Sequence, residues 1–312
     1  MSLFLHHFAI SVPLFALVLL GYALMRWGGW PVTVPEALSR FVFGVALPAM
    51  LFRLMSQLSR LPPVDARLLI AFFGGCLLTF GIGRLVAWKV FRMDGSQQSV
   101  FALGGVFSNN VFLGLPIAKL TLGDAALPSV SLILVFNALI LWTLVTVSIE
   151  FARQGALSLQ GFGATLRNVL RNPLILAILG GTLFGLSGLA LPQIVDLPLR
   201  MLGDCAPALA LMSLGMGLVE YGWRESARES LAITTIKLVV QPLVVWGLAL
   251  ALELPEMETR TVVLMASISV GVNVYQVARQ FRCLESAAAG SMVFSTALAA
   301  LSTPLFLSLT GS

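Results

Sequence analysis

Ten mostly apolar stretches, each roughly 18–25 residues long and nearly free of charge, succeed one another along the chain. Helices of that length cross the hydrocarbon core of a bilayer, and no other feature limits the fold so strongly. Backbone in lipid must satisfy its own N–H and C=O groups, so only helices and closed barrels span it. A barrel needs short alternating segments, and these solid apolar runs are the opposite pattern. They lie near 8–26, 37–57, 68–91, 97–121, 127–150, 173–191, 197–221, 228–252, 258–281 and 285–308. Hydrophobic residues fill 58% of the 312 positions and charged residues 11%. A soluble domain carries about a quarter charged residues to face water, so a soluble fold is excluded. The predicted fold class is therefore an all-α integral membrane protein with ten transmembrane helices.

Charge placement gives an orientation. With ten spans both termini share a side, and the odd-numbered loops lie opposite. Twelve Lys and Arg fall with the odd loops, among them Arg92, Arg153, Arg167, Arg171 and Arg224, against six on the other side, among them Arg53, Lys119 and Arg200. The excess of bases marks the cytoplasmic side. Both termini are then expected outside, in the cytoplasmic (inner) membrane. The net charge of +5 is thus read as membrane topology, with no nucleic acid as partner. Cys76, Cys205 and Cys283 make neither a metal motif nor a disulfide framework. No cofactor is called for.

The polar, Gly-bearing stretch 153–172 divides the chain into 1–152 and 173–312, each with five spans. If the halves are related, an odd number of spans forces the second to enter the membrane inverted. Ala46-Leu47-Pro48-Ala49-Met50 in the second span matches Cys205-Ala206-Pro207-Ala208-Leu209 in the seventh, 159 positions later. At nearly the same offset, a polar interruption in the fourth span faces one in the ninth. Interrupted helices in corresponding places of two repeats point to a secondary transporter's binding site.

The fourth span carries Ser108-Asn109-Asn110-Val111-Phe112-Leu113-Gly114-Leu115-Pro116. An Asn pair at mid-membrane is costly unless its amides find partners. Pro116 lacks an N–H and clashes with the preceding turn, and Gly114 loosens the backbone beside it. Together they favour a break, whose free N–H end attracts an anion. The same residues also suit hydrogen bonding between helices around a simple proline kink. The ninth span carries Gly271-Val272-Asn273-Val274-Tyr275-Gln276, with the same mixture of glycine and amide.

With these motifs the sequence resembles the auxin efflux carrier family of plants and its bacterial relatives, which include proposed malonate permeases. Leu47-Pro48-Ala49 and the closing Phe294-Ser295-Thr296 and Ser302-Thr303-Pro304-Leu305 carry the likeness further, over nearly the whole chain. The resemblance implies two inverted five-helix repeats with broken, crossing fourth and ninth helices, and organic-anion transport by alternating access. Ser269 departs from the family pattern, standing where such relatives usually have proline. The ninth-span break must then rest on Gly271 and its polar neighbours.

The expected substrate-binding residues are Ser108, Asn109, Asn110, Gly114, Pro116, Gly271, Asn273, Tyr275 and Gln276. Lys237 lies within the eighth span, with Gln241 four residues on and on the same face. It is expected either to neutralise half-helix carbonyl ends, as a surrogate for a bound cation, or to attract a carboxylate. Snorkelling of its stem toward the interface is the alternative. Asp204, ahead of Pro207, is the candidate carboxylate at depth, expected to pair with a base such as Arg200 or an N-terminal helix turn, or to carry a proton. No span centre holds a pair of acidic residues, which argues against a sodium/proton antiporter. A coupling proton or sodium ion stays open, as does a homodimer.

The leading expectation is a secondary carrier for a small, malonate-like organic anion. An anion channel and a sodium-coupled carrier of a different organic solute are the alternatives. No Gly-rich phosphate loop followed by Lys and Ser or Thr occurs, which argues against an ATP-driven pump. No span contains histidine, and no nucleophile stands with a base, which argues against an enzyme.

Overall fold

The computed structural model describes residues 3–31, 33–57, 64–154, 171, 173–220 and 226–311. The linker expected over 153–172 lies almost entirely outside them. The described residues are helical, and the one element of β structure among them is an isolated two-residue bridge. In order, the helices are α1 (Leu3–Trp27), α2 (Thr33–Phe41), α3 (Leu47–Met55), α4 (Arg67–Lys89), α5 (Gly95–Gly104), α6 (Leu115–Thr121) and α7 (Leu127–Gln154). The second half holds α8 (Pro173–Leu186), α9 (Gln193–Gly217), α10 (Ala227–Thr235), α11 (Gln241–Ala251), α12 (Glu256–Ser267), α13 (Val272–Phe281) and α14 (Glu285–Thr310).

By length and composition, four helical stretches can cross a membrane whole: Thr33–Met55, Arg67–Lys89, Ala227–Ala251 and Glu285–Thr310. Shorter apolar helices include Asn110–Thr121 and Pro173–Leu186. The interruptions anticipated at the Asn-Gly-Pro clusters explain part of the shortfall. The fourth apolar run is cut into α5 and α6, and the ninth into α12 and α13.

Proline shapes three of the helices in one way. Wide π turns at Val42–Ala46, Asn110–Gly114 and Ile236–Val240 each run into a helix whose second residue is proline, namely Pro48, Pro116 and Pro242. A proline ring collides with the carbonyl four residues back and offers no N–H. The i→i+5 turn just before it carries the chain past that collision without ending the helix. Elsewhere ends are set by caps. At the start of α5 the Asp94 carboxylate accepts from the Ser96 and Gln97 N–H groups, while Gln97 reaches back to the Asp94 N–H.

Packing sorts the helices into two groups. α1 lies on α9, and α3 lies on both α8 and α9. The other group joins α4 to α5 and α11, α5 to α7, α11 to α12, and α14 to α10 and α12. Glycine permits the closest approaches in the first group: a Cβ on Gly215 or Gly21 would run into the backbone of Val18 or Met212. The groups meet chiefly where α1 packs on α14 and α6.

Candidate functional site

The chain unwinds after α5 and again after α12, and the two unwound segments pair. Ser108 and Val270 form an antiparallel bridge. The Asn109 N–H donates to the Ser269 carbonyl at 2.9 Å, and the Gly271 N–H donates to the Phe107 carbonyl at 2.8 Å. From the α14 side, the Ser295 hydroxyl accepts from the Val270 N–H at 2.9 Å. Backbone that leaves a helix inside a membrane protein must find such partners, and here each break satisfies the other. Ser269 in place of proline does not prevent the second break. Ile268 is extended (φ −79°, ψ 168°), and Ser269 supplies a carbonyl to the pairing.

Gly271 has an ordinary negative φ, so its role is proximity. A Cβ there would lie 2.9 Å from the Ser108 carbonyl oxygen. Gly114 is likewise a packing glycine, with a Cβ placed 2.7 Å from Ile268 Cδ1 and 3.0 Å from Met265 Sδ.

A cavity of about 120 Å³ lies against the paired breaks. Ser108, Asn109, Asn110, Val111 and Phe112 line it from the fourth run, and Gly271, Val272 and Asn273 from the ninth. These are the first residues of two helices that lead away from the cavity. Their leading N–H groups have no partner within their own helices, and both helices present their positive dipole ends. Several buried polar atoms have no hydrogen-bond partner: the Ser108 hydroxyl, the Asn109 amide nitrogen and both polar atoms of the Asn110 amide. No acidic side chain is among the described residues that line the space. The arrangement offers donors and positive potential, which suits an anion.

The remaining expected residues fall elsewhere. Gly114 and Pro116 shape the helix behind the cavity and do not line it. Tyr275 and Gln276 lie further along α13, where Gln276 is exposed and the Tyr275 ring sits 5.8 Å from the Arg279 guanidinium. Asp204, the candidate carboxylate at depth, stands beside Arg200, a base expected as its partner. Its side chain is 63% exposed and lies 3.7 Å from Arg200, one turn earlier on α9. Periodicity places a residue along a helix but does not say which face a kinked helix buries.

Lys237 and Gln241 do reach the breaks. Lys237 is fully buried and donates to the Ala266 carbonyl, next to the last residue of α12. Gln241 donates to the Val106 carbonyl at 2.9 Å, just past α5.

Asn137 was missed by the sequence reading. It projects from α7 into the cavity, with its Oδ1 unpaired and buried. The available signal was a lone amide within an apolar run, Leu134-Val135-Phe136-Asn137-Ala138. The opposite wall is apolar: Phe43 from the π turn after α2, and Leu174, Ile175 and Ile178 from α8. Phe43 meets Phe112 edge-on, with ring centroids 4.4 Å apart.

A multi-pass helical membrane protein whose two broken helices meet over an interior polar cavity is of the class of membrane transport proteins. The family model described as "Membrane transport protein" matches residues 7–307, and the chain belongs to that family, the auxin efflux carrier family. It is 23% identical over 294 residues to a Rhizobium meliloti protein named "Putative malonate transporter", covering 93% of this chain and 91% of that one. It is 25% identical over 259 residues to a Methanothermobacter thermautotrophicus protein named "Uncharacterized transporter", covering 81% of each.

Proposed function

We propose that this protein is a secondary carrier for a small organic anion, a mono- or dicarboxylate of about malonate size, working by alternating access. The carrying observation is the cavity at the paired breaks. Two helix N-termini and the unpaired amide N–H groups of Asn109 and Asn110 converge on a space with no acidic side chain among its described lining residues. The unpaired buried amide N–H groups of Asn109 and Asn110 cost about 1–3 kcal/mol each, a cost that an anion's oxygens would offset on binding. The malonate in the name of the Rhizobium relative agrees with this substrate class.

The two helix groups support the transport cycle. The cavity lies between them, with Phe43 and α8 residues on one wall and the paired breaks with α7 on the other. One group contains the first two apolar runs of each half, the partition expected of two inverted five-span repeats making ten spans. By the Lys and Arg rule, the α8 end of the cavity is the cytoplasmic one. At the outer end of the same seam, Arg53, Lys119, Arg200 and Asp204 line a pocket of only about 40 Å³. Access from one side at a time favours a carrier over a channel.

The test is uptake of labelled malonate and of mono- and dicarboxylate competitors into proteoliposomes, with Asn110→Ala and Asn273→Ala beside the parent. Saturable uptake that both variants weaken at least tenfold is the expected result. Absence of uptake for every carboxylate, or full uptake by both variants, would overturn the reading.

A further inference from the structure

The anion cradle uses one end of each broken helix; the other two ends, the C-termini of α5 and α12, face α10 and α11. A helix C-terminus leaves carbonyls unpaired and carries roughly −0.5 of an elementary charge, so the two ends together present about −1. Unwound carbonyls of this kind are where secondary transporters coordinate a coupling cation. Here their neighbour is Lys237, fully buried and donating to the Ala266 carbonyl. Gln241, one turn on, takes the Val106 carbonyl at 2.9 Å, while Thr303 donates to the Ser267 carbonyl at 3.2 Å.

No ion pair among the described residues involves Lys237. A buried ammonium without a carboxylate costs several kcal/mol unless another negative potential offsets it. The carbonyl end of α12, which Lys237 meets at Ala266, supplies one of opposite sign, with the α5 end held one turn on by Gln241.

We propose that Lys237 is a tethered cation, its ammonium occupying the place where a free monovalent cation would otherwise bind between the two helix C-termini. The protein then holds its paired breaks together without sodium or lithium. Under the anion-carrier reading, on which this consequence rests, substrate binding needs no soluble cation partner.

The test is made on purified full-length protein without substrate, so it does not depend on that reading. Thermal unfolding is followed in sodium, lithium, potassium and choline chlorides at equal ionic strength. The parent should unfold at one temperature in all four. Lys237→Ala should unfold earlier in choline and gain about 2 °C or more in sodium or lithium, because the emptied site admits a small cation. Lys237→Met fills the space without charge and should unfold early with no cation response. Lys237→Ser is measured in the same way in case the alanine variant does not purify. Cation-specific stabilisation of the parent overturns the proposal, as does a folded Lys237→Ala or Lys237→Ser protein indifferent to the cation. Should no carboxylate be transported, the carrier reading falls while the tethered cation stands on the unfolding data.

Discussion

Gly271 donates its N–H to the Phe107 carbonyl, and its Cα faces the Ser108 backbone so closely that a Cβ would lie 2.9 Å from the Ser108 oxygen. The meeting of the two broken helices therefore depends on a missing methyl group. Gly271→Ala should cost about 1–3 kcal/mol by forcing the strands apart. It should also widen the spacing of the N–H groups around the cavity. Gly247→Ala is the control, because a Cβ there meets nothing within 4 Å. In mid-helix that change should be neutral or stabilising by up to about 1 kcal/mol. Thermal unfolding and uptake measured together separate the two cases.

Asn137 should behave as a binding residue and not a structural one. Its Oδ1 is buried without a partner, a cost to the folded protein, and its Nδ2 is the atom able to donate to a carboxylate in the cavity. Asn137→Leu should leave the unfolding temperature unchanged or raise it, removing a polar group that costs about 1–3 kcal/mol when unpaired. Carboxylate affinity should fall about tenfold, equivalent to about 1.4 kcal/mol. Lower stability with unchanged affinity would show that Asn137 serves packing alone.

Sequence pattern was most informative where backbone chemistry is local. The polar Ser108-Asn109-Asn110 cluster with Gly114 and Pro116 marked an interruption, and the structure unwinds the chain between Gly104 and Asn110 while helix continues through Gly114 and Pro116. Lys237 with Gln241 was legible for the same reason, since four residues on one helix share a face. What escaped depends on rotation and on distant contacts. Asp204 stands beside Arg200, four residues earlier on α9, but its 63% exposed face depends on rotation that spacing does not give. Asn137 looked ordinary because nothing nearby in sequence tells that α7 borders the cavity. Ser269 seemed to weaken the ninth-span break, but the Asn109 N–H, 160 positions earlier, holds its carbonyl in place.

Arg53 and Asp196 tie α3 to α9 through two bonds, Nε to Oδ1 at 2.7 Å and a terminal nitrogen to Oδ2 at 3.2 Å. Both side chains are about 30% exposed, so screening limits their worth. A coupling energy of about 0.5–1 kcal/mol is expected from a double-mutant cycle of Arg53→Ala and Asp196→Ala. Both partners belong to one helix group, so breaking the pair should lower stability while leaving the alternation between groups intact. A large loss of uptake with little change in stability would instead place the pair at a moving contact.

Asp65 should contribute an acid-sensitive part of the stability. It lies in the loop before α4, where the Arg67 side chain donates to it at 2.6–3.1 Å and the Arg67 N–H at 2.9 Å. These bonds hold its carboxyl below the usual carboxylate range, the side-chain bonds to Arg67 being the larger cause. A carboxylate with its pKa depressed in the folded state binds fewer protons than in the unfolded chain. Its stabilisation is therefore complete above the unfolded value, about 3.9 for aspartate, and is lost as pH falls through the folded one. Asp65→Asn should remove that component. Between neutral pH and about pH 5 the variant should unfold earlier than the parent by a constant interval. Below about pH 4 the interval should shrink, because the parent loses the same bonds by protonation. The Asp65 N–H also donates to Glu258 at the start of α12, at 3.3 Å, so the loop is anchored on a second element. An interval unchanged down to pH 3 would mean that backbone packing around that anchor, rather than the carboxylate, carries the effect.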